Sequence, residues 1–271
     1  MGKCRLDQLL VNKGLVPSRE KGKALIMAGQ VYVDGMKVEK PGTNLNVDVT
    51  IEIKGESLPY VSRGGFKLAR ALQEFKITLS GKVVLDIGAS TGGFTDCALQ
   101  NGATKVYAVD VGYGQLAWSL RQNARVVVME RKNARYLSAS DIPEPIDVIT
   151  IDVAFISLRK IFTPLQALLK EDGFMLALIK PQFEAGREQV GKKGVVKEPV
   201  VHCQVIEEII TFSQDLGLTV RGLTYSPIKG PQGNIEFLLW LQKKSYLKEN
   251  IDEQKMKEKV KKIVIEAHQK L

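Results

Sequence analysis

Short apolar runs recur along most of this chain at intervals that suit a layered fold. Val83–Ile87, Val106–Val109, Ile146–Ile151, Phe174–Ile179, Val220–Tyr225 and Asn234–Leu241 are bulky or β-branched, the pattern of buried strands. Five strands are expected to end near Asp86, Asp110, Met129, Asp152 and Lys180. Between the runs, the spacing predicts helices over Gly65–Phe75, Gly93–Asn101, Leu158–Leu169 and Val200–Leu216. Alternating strands and helices predict an α/β fold, a mostly parallel sheet with helices on both faces.

Residues 1–55 follow a different rhythm. Leu6, Leu9, Leu10 and Val11 form one face of a short helix that stops at Gly14. Pro17-Ser18 opens a second helix, with Ala24, Leu25 and Met27 as its apolar face and Gly29 as its stop. Val31 to Val38 alternates about Asp34-Gly35, a strong hairpin signal, and Val47 to Ile53 reads as one more strand. The pattern thus predicts a small α+β module (1–55), a linker (56–62) stiffened by Pro59, a large domain (63–242) and a lysine-rich helical tail (243–271). The tail carries only a weak apolar stripe, Ile251, Met256, Val260, Ile263 and Val264, and either packs back on the domain or frays.

The stretch with the clearest chemistry is Val83-Val84-Leu85-Asp86-Ile87-Gly88-Ala89-Ser90-Thr91-Gly92-Gly93-Phe94. A buried strand breaks into a glycine-rich turn and feeds a helix, and the next strand ends in Asp110. Glycines let the backbone approach a ligand, and a carboxylate there accepts both ribose hydroxyls. The glycines fall at 88, 92 and 93, not at the G-x-G-x-x-G spacing that cradles a pyrophosphate. A nucleoside without phosphates fits better, and S-adenosylmethionine is the commonest such cofactor.

Composition narrows the partners. Among 271 residues the formal charge is +9 and the pI about 9.3, which points to a polyanion, nucleic acid before a membrane surface. Apolar residues make up 44%, yet no run nears the roughly 20 needed to span a bilayer. Met1–Asp7 has no apolar core of a secretory signal, so a cytoplasmic location is expected. Cys4, Cys97 and Cys203 are odd in number and scattered, as reduced thiols are. His202 and His268 lack partners at ligand spacing, so no metal site is expected.

Charges also close apolar runs where ligands gather, at the carboxyl ends of strands. Asp152 ends one run and Lys180 the next, while Lys67 opens the helix before the sheet and Glu236 precedes the last strand. In order, Lys67, Asp152, Lys180 and Glu236 resemble the catalytic tetrad of FtsJ-like ribose 2′-O-methyltransferases. Arg5-Leu6-Asp7, Gly14-Leu15, Ser18-Arg19, Ala24-Leu25-Ile26, Gly29, Val31, Val33, Gly35, Val38 and Lys40-Pro41-Gly42 resemble the S-four RNA-binding module of ribosomal proteins. Tyr60–Leu68, Asp86–Asp96 and Lys180–Arg187 are similar to the TlyA family, which carries both hemolysin and ribosomal-RNA methyltransferase names. Thr91 stands where a proline is common in the glycine loop, and Asn133 where an acid often meets adenine.

These resemblances imply a Rossmann-like S-adenosylmethionine-dependent methyltransferase sheet, with Asn234–Leu241 as an antiparallel strand near its edge. They place the cofactor at Asp86, Gly88, Gly92, Gly93, Phe94, Asp110, Asn133 and Asp152. Lys180 becomes the candidate base, favoured in its neutral form by partial burial and Lys67 and opposed by Asp152 and Glu236. Ribosomal RNA or a ribosomal subunit is the implied partner, met by Arg5, Arg19, Lys21 and Lys23 on the small module and by Arg63 on the domain. Gln182–Pro199 reads as a mobile basic loop over the site, with Arg187, Lys192 and Lys193 for phosphates and Phe183 for a base. Two other classes compete: a membrane-active hemolysin, for which only the basic tail offers a surface, and a catalytically silent RNA-binding assembly factor. No stable membrane association is expected.

Overall fold

Two units, 1–57 and 58–271, each enclose their own apolar core. The computed structural model describes residues 2–27, 29–54, 59–230, 232–243 and 253–271.

The smaller unit runs β1 (Lys3–Arg5), α1 (Leu6–Asn12), α2 (Arg19–Met27), β2 (Val31–Val33), β3 (Met36–Lys37), β4 (Asn44–Asn46) and β5 (Ile51–Ile53). Leu6, Leu10, Val16, Leu25, Ile26, Val31 and Val33 form its core. The hairpin turn has Asp34 at φ +48° and Gly35 at φ +80°, the left-handed pair that matches strand twist in a two-residue loop. Two expectations need correction. Met27 is 67% exposed, and Ile26 fills the core in its place, so the apolar face of α2 lies one residue earlier. Of Val47–Ile53 only Ile51–Ile53 is strand: β4 ends before it and pairs with β1, β5 pairs with β2, and residues 47–50 turn between them because the chain changes partners.

The larger unit contains α3 (Gly64–Phe75), β6 (Val83–Ile87), α4 (Gly93–Gln100), β7 (Lys105–Val109), α5 (Trp118–Arg121), β8 (Val126–Met129) and β9 (Ile146–Ile151). There follow α6 (Phe162–Leu168), β10 (Leu169–Ile179), α7 (Pro181–Glu184), α8 (Pro199–Asp215), β11 (Leu218–Tyr225), β12 (Phe237–Lys243) and α9 (Glu253–Lys270). The sheet order is β11-β12-β10-β9-β6-β7-β8, with β12 antiparallel to both neighbours and the remaining ladders parallel. This is the Rossmann-like methyltransferase arrangement expected, the antiparallel strand included. Strand alternation sends neighbours to opposite faces: Val84 packs with α3 and α4, Leu85 with α6 and α8. β10 starts earlier than its apolar run, with a register irregularity before Phe174.

The tail packs back. Val260, Val264 and Ala267 are fully buried in the core of one face, whereas Ile251 lies outside the described residues. His268 has a partner that spacing did not reveal, for its Nε2 lies 2.9 Å from Nδ1 of the buried His202. Burial pushes His202 down to about 4, so this is a contact between neutral rings. Among the described residues no group of three or more His, Cys, Asp or Glu is placed to hold a metal ion. No described helix is long and apolar enough to cross a membrane.

Candidate active site

Four charges separated by up to 169 residues meet at the carboxyl edge of the sheet. Asp152 follows β9, its N–H still donating to the Ile87 carbonyl at 2.9 Å. Lys180 follows β10 and opens α7, Glu236 precedes β12, and Lys67 lies in the first turns of α3. Lys180 Nζ is 2.6 Å from Asp152 Oδ1, Lys67 Nζ is 4.0 Å from Asp152 Oδ2, and Lys67 Nζ donates to Glu236 Oε2 at 2.6 Å. The signs alternate, so the row is neutral as a whole. Its side chains are only 13%, 18%, 9% and 1% exposed from Lys180 through Asp152 and Lys67 to Glu236. Burial pushes the Glu236 carboxyl above its ordinary value, against the pull of Lys67 and Lys180. Nothing about a strand requires such a row at its end, and desolvating it is costly unless it has work to do.

Beside it opens a cavity of about 610 Å³, within the usual range for a small-molecule site. Gly88, Asp110, Asn133 and Asp152 line it, as expected, together with Ser90, Gln115 and Phe155. Gly88 has φ +83°, and a Cβ there would run into the Asp152 carbonyl, so only glycine lets the two strand ends come together. Asp110 accepts the N–H groups of Gly112 at 2.7 Å and Ser90 at 2.8 Å. Each oxygen keeps a lone pair for a ribose hydroxyl. The residues present therefore fit a nucleoside bound without phosphates. Asn133 has its Oδ1 turned to the Arg135 N–H at 3.1 Å, which leaves its amide NH₂ for an adenine ring nitrogen.

Four expected cofactor residues stand behind this wall. Asp86 is fully buried, accepting from Thr95 Oγ1 at 2.6 Å and Thr150 Oγ1 at 2.9 Å, and burial pushes it up to about 6. It ties β6 to α4 and β9 beneath the loop. Gly92 faces Leu116 and Leu120, Gly93 lies against Ser62 and Gly65, and Phe94 is in the core shared by α3 and α4. They shape the loop from below; an apolar run ending in an acid does not reveal which way that acid points.

The RNA candidates fall in both units. In the small one, Arg5 and Arg19 are not free cations. The fully buried Asp7 carboxylate accepts from both, at 3.0 Å in each case, and Arg5 holds it down at about 2. The guanidiniums remain half-exposed and fixed in position. Asp7 was legible as an acid on the apolar face of α1. Lys21 and Lys23 are half-buried on α2. In the large unit Arg63 is exposed, donating to the Lys229 carbonyl at 3.3 Å, and Arg187, Lys192 and Lys193 are exposed.

The segment after Lys180 is anchored more firmly than a mobile loop. Glu184 accepts from Ser157 Oγ at 2.6 Å and the Leu158 N–H at 2.7 Å, and Val196 is buried. Phe183 packs against Phe155, ring centroids 5.1 Å apart. Phe155 was not anticipated. It is 91% exposed at φ +63°, a strained placement for an aromatic residue, three positions beyond Asp152. A bulky apolar residue just past a strand-ending acid is the only signal the sequence offers for it.

A family model described as FtsJ-like methyltransferase matches residues 60–243, and one described as S4 domain matches residues 4–51. A Bacillus subtilis protein provisionally named an rRNA methyltransferase is 52% identical over 271 residues, covering 99% of this chain and 95% of that protein. The 16S/23S rRNA (cytidine-2′-O)-methyltransferase TlyA of Mycobacterium tuberculosis is 43% identical over 241 residues, covering 89% of this chain and 90% of TlyA. A solved Streptococcus thermophilus structure with a provisional hemolysin name superposes with a TM-score of 0.78 at 45% identity, covering 100% of this chain and 97% of the other.

Proposed function

Because the chain belongs to the FtsJ-like methyltransferase family and carries an N-terminal S4 domain, we propose that it methylates a ribose 2′-hydroxyl of ribosomal RNA, with S-adenosylmethionine as methyl donor. The observation that carries this reading is the row Lys180–Asp152–Lys67–Glu236 beside a cavity walled by Gly88 and Asp110. The relatives' names supply the substrate class: TlyA acts on 16S and 23S rRNA at cytidine 2′-oxygens.

When bound, the cofactor supplies an electrophilic methyl on a sulfonium. Gly88 and Asp110 bind its nucleoside, and Asn133 meets the base. A ribose hydroxyl is a poor nucleophile, so the site must orient it and take its proton. Lys180 receives that proton, held in place by Asp152. Lys67 fixes the other Asp152 oxygen, and Glu236 neutralises Lys67, so the row keeps its geometry as charge moves. Phe155 and Phe183 offer an exposed apolar face on which a base of the substrate strand stacks. The arginines held by Asp7 position the S4 domain on RNA phosphates. The hemolysin name finds no specific support in the site.

The test is incubation of purified protein with labelled S-adenosylmethionine and ribosomal subunits or free rRNA. Label recovered in an alkali-resistant 2′-O-methylated dinucleotide supports the assignment; label only in a base, or none, overturns it. Lys180→Ala loses transfer. Lys180→Arg fails almost as badly, because a guanidinium keeps the charge but does not accept a proton near neutrality. Near-full activity in the arginine variant would remove Lys180 as the base.

A further inference from the structure

A second cavity of about 650 Å³ has Ile235, the neighbour of Glu236, in its wall, and its lining is strongly basic. Lys192, Lys193 and Lys197 come from the segment after α7, Lys229 from the turn before β12, and His268 from the end of α9. None of the four lysines has an ion-pair partner among the described residues. Four like charges around one hollow repel each other, and none is neutralised by an ion pair among the described residues. Glu198, just before α8, bears on His268, as Lys229 does with the opposite sign, and makes no ion pair with the lysines among the described residues.

The hollow is rigidly tied to the catalytic row. Asn234 is fully buried, its Oδ1 accepting the Val196 N–H at 3.0 Å and its Nδ2 donating to the Gly194 carbonyl at 2.9 Å. It stands two residues before Glu236, so the lysine-bearing segment and the catalytic strand move as one. Below, the His202–His268 contact holds α9 as the far wall.

We propose that this cavity is a phosphate seat for the RNA strand flanking the methylated nucleotide, so that the C-terminal helix is part of the substrate interface. The inference rests on the RNA-methyltransferase reading and deepens it. Lysines supply compact point charges with rotatable donors, suited to phosphodiesters and indifferent to sequence. The ligand class is therefore an RNA backbone segment, and the seat contributes position and affinity rather than base choice.

The experiment compares wild type with Lys197→Gln/Lys229→Gln and Lys197→Arg/Lys229→Arg, all as full chains. Affinity for an rRNA fragment is measured by fluorescence anisotropy over a salt titration, with KM for RNA and cofactor affinity alongside. Each phosphate contact contributes about 0.7 to the salt slope of a single strand, so losing two flattens it by about 1.4 and weakens binding about tenfold at physiological salt. The glutamine variant is expected to show that loss and a raised KM with cofactor affinity intact, and the arginine variant to recover both. Unchanged slope and affinity in the glutamine variant, with a wild type that binds and methylates RNA, overturns the seat. Equal loss in both variants also overturns it, since charge would then not be the cause. A wild type that neither binds nor methylates RNA instead sinks the underlying function, and the inference with it.

Discussion

The Lys67–Glu236 contact separates a catalytic row from a structural one. Both groups are almost wholly out of water, with Lys67 Nζ 2.6 Å from Glu236 Oε2 and its next carboxylate 4.0 Å away. Glu236→Ala leaves a buried ammonium with one distant partner, which costs about 3–5 kcal/mol. Replacing the pair by apolar groups of similar size, Lys67→Met with Glu236→Leu, removes both desolvation penalties and should return stability to within about 1 kcal/mol of wild type. Urea unfolding followed by tryptophan fluorescence is a suitable assay, because Trp118 and Trp240 both lie in the large unit and report its stability without interference from the small one. Methyl transfer is assayed on the same samples. The double variant is expected to be stable and inactive, since the row has lost the charge that fixes Asp152. A double variant that transfers methyl at near wild-type rate would refute the reasoning and reduce the pair to a structural bridge. A cost below about 1 kcal/mol for Glu236→Ala would show that the site is wetter than its burial implies.

Asp110→Asn keeps the shape of the turn but halves its acceptors, and should weaken cofactor binding by about 2 kcal/mol; unchanged affinity by calorimetry would remove Asp110 from the site. Asp86 is raised from 3.8 to about 6 by burial, so the unfolded chain releases its proton first and stability falls as pH rises from about 4 to 6, by roughly 3 kcal/mol. Asp86→Asn should flatten tryptophan-detected stability across that window, and an unaltered slope would contradict the assignment. Asp7 runs the other way: lowered to about 2, it lends stability above about pH 4 that is lost as pH falls toward 2, about 1–2 kcal/mol once the half-exposed arginines are discounted. Asp7→Asn should make the small unit indifferent to that acid range in NMR-detected unfolding. Phe155→Leu should raise KM for RNA and leave cofactor affinity alone; an unchanged KM would mean that the Phe155–Phe183 face stacks no base.

Most of the fold was legible because its signals are local. A buried strand needs consecutive apolar residues, a left-handed turn needs Asp34-Gly35, and a strand that ends at a ligand can end in a charge; each condition is met within a few residues of chain. So strand positions in the large domain, the glycine turn, Asp110 and the four charged strand and helix ends could all be read without coordinates. The one-residue error at Met27 and the shortening of Val47–Ile53 to its last three residues arise where short elements choose between faces or partners, a choice set by the neighbouring layer and not by the segment itself.

What the chain alone determined is which residue types close each element, and so which could react. Only the tertiary structure decided which of them meet. Lys67 and Glu236 come together because α3 and β12 flank the same sheet edge, whereas Asp86, no less acidic in sequence than Asp110, is turned inward to two threonine hydroxyls. Asp7 gathers two arginines, and His268 finds His202, across gaps that no periodicity spans. Periodicity reports the environment of a position, buried or exposed, one face or the other. The direction of a single side chain, and the charge it will face, depend on the register and stacking of elements far apart in the chain.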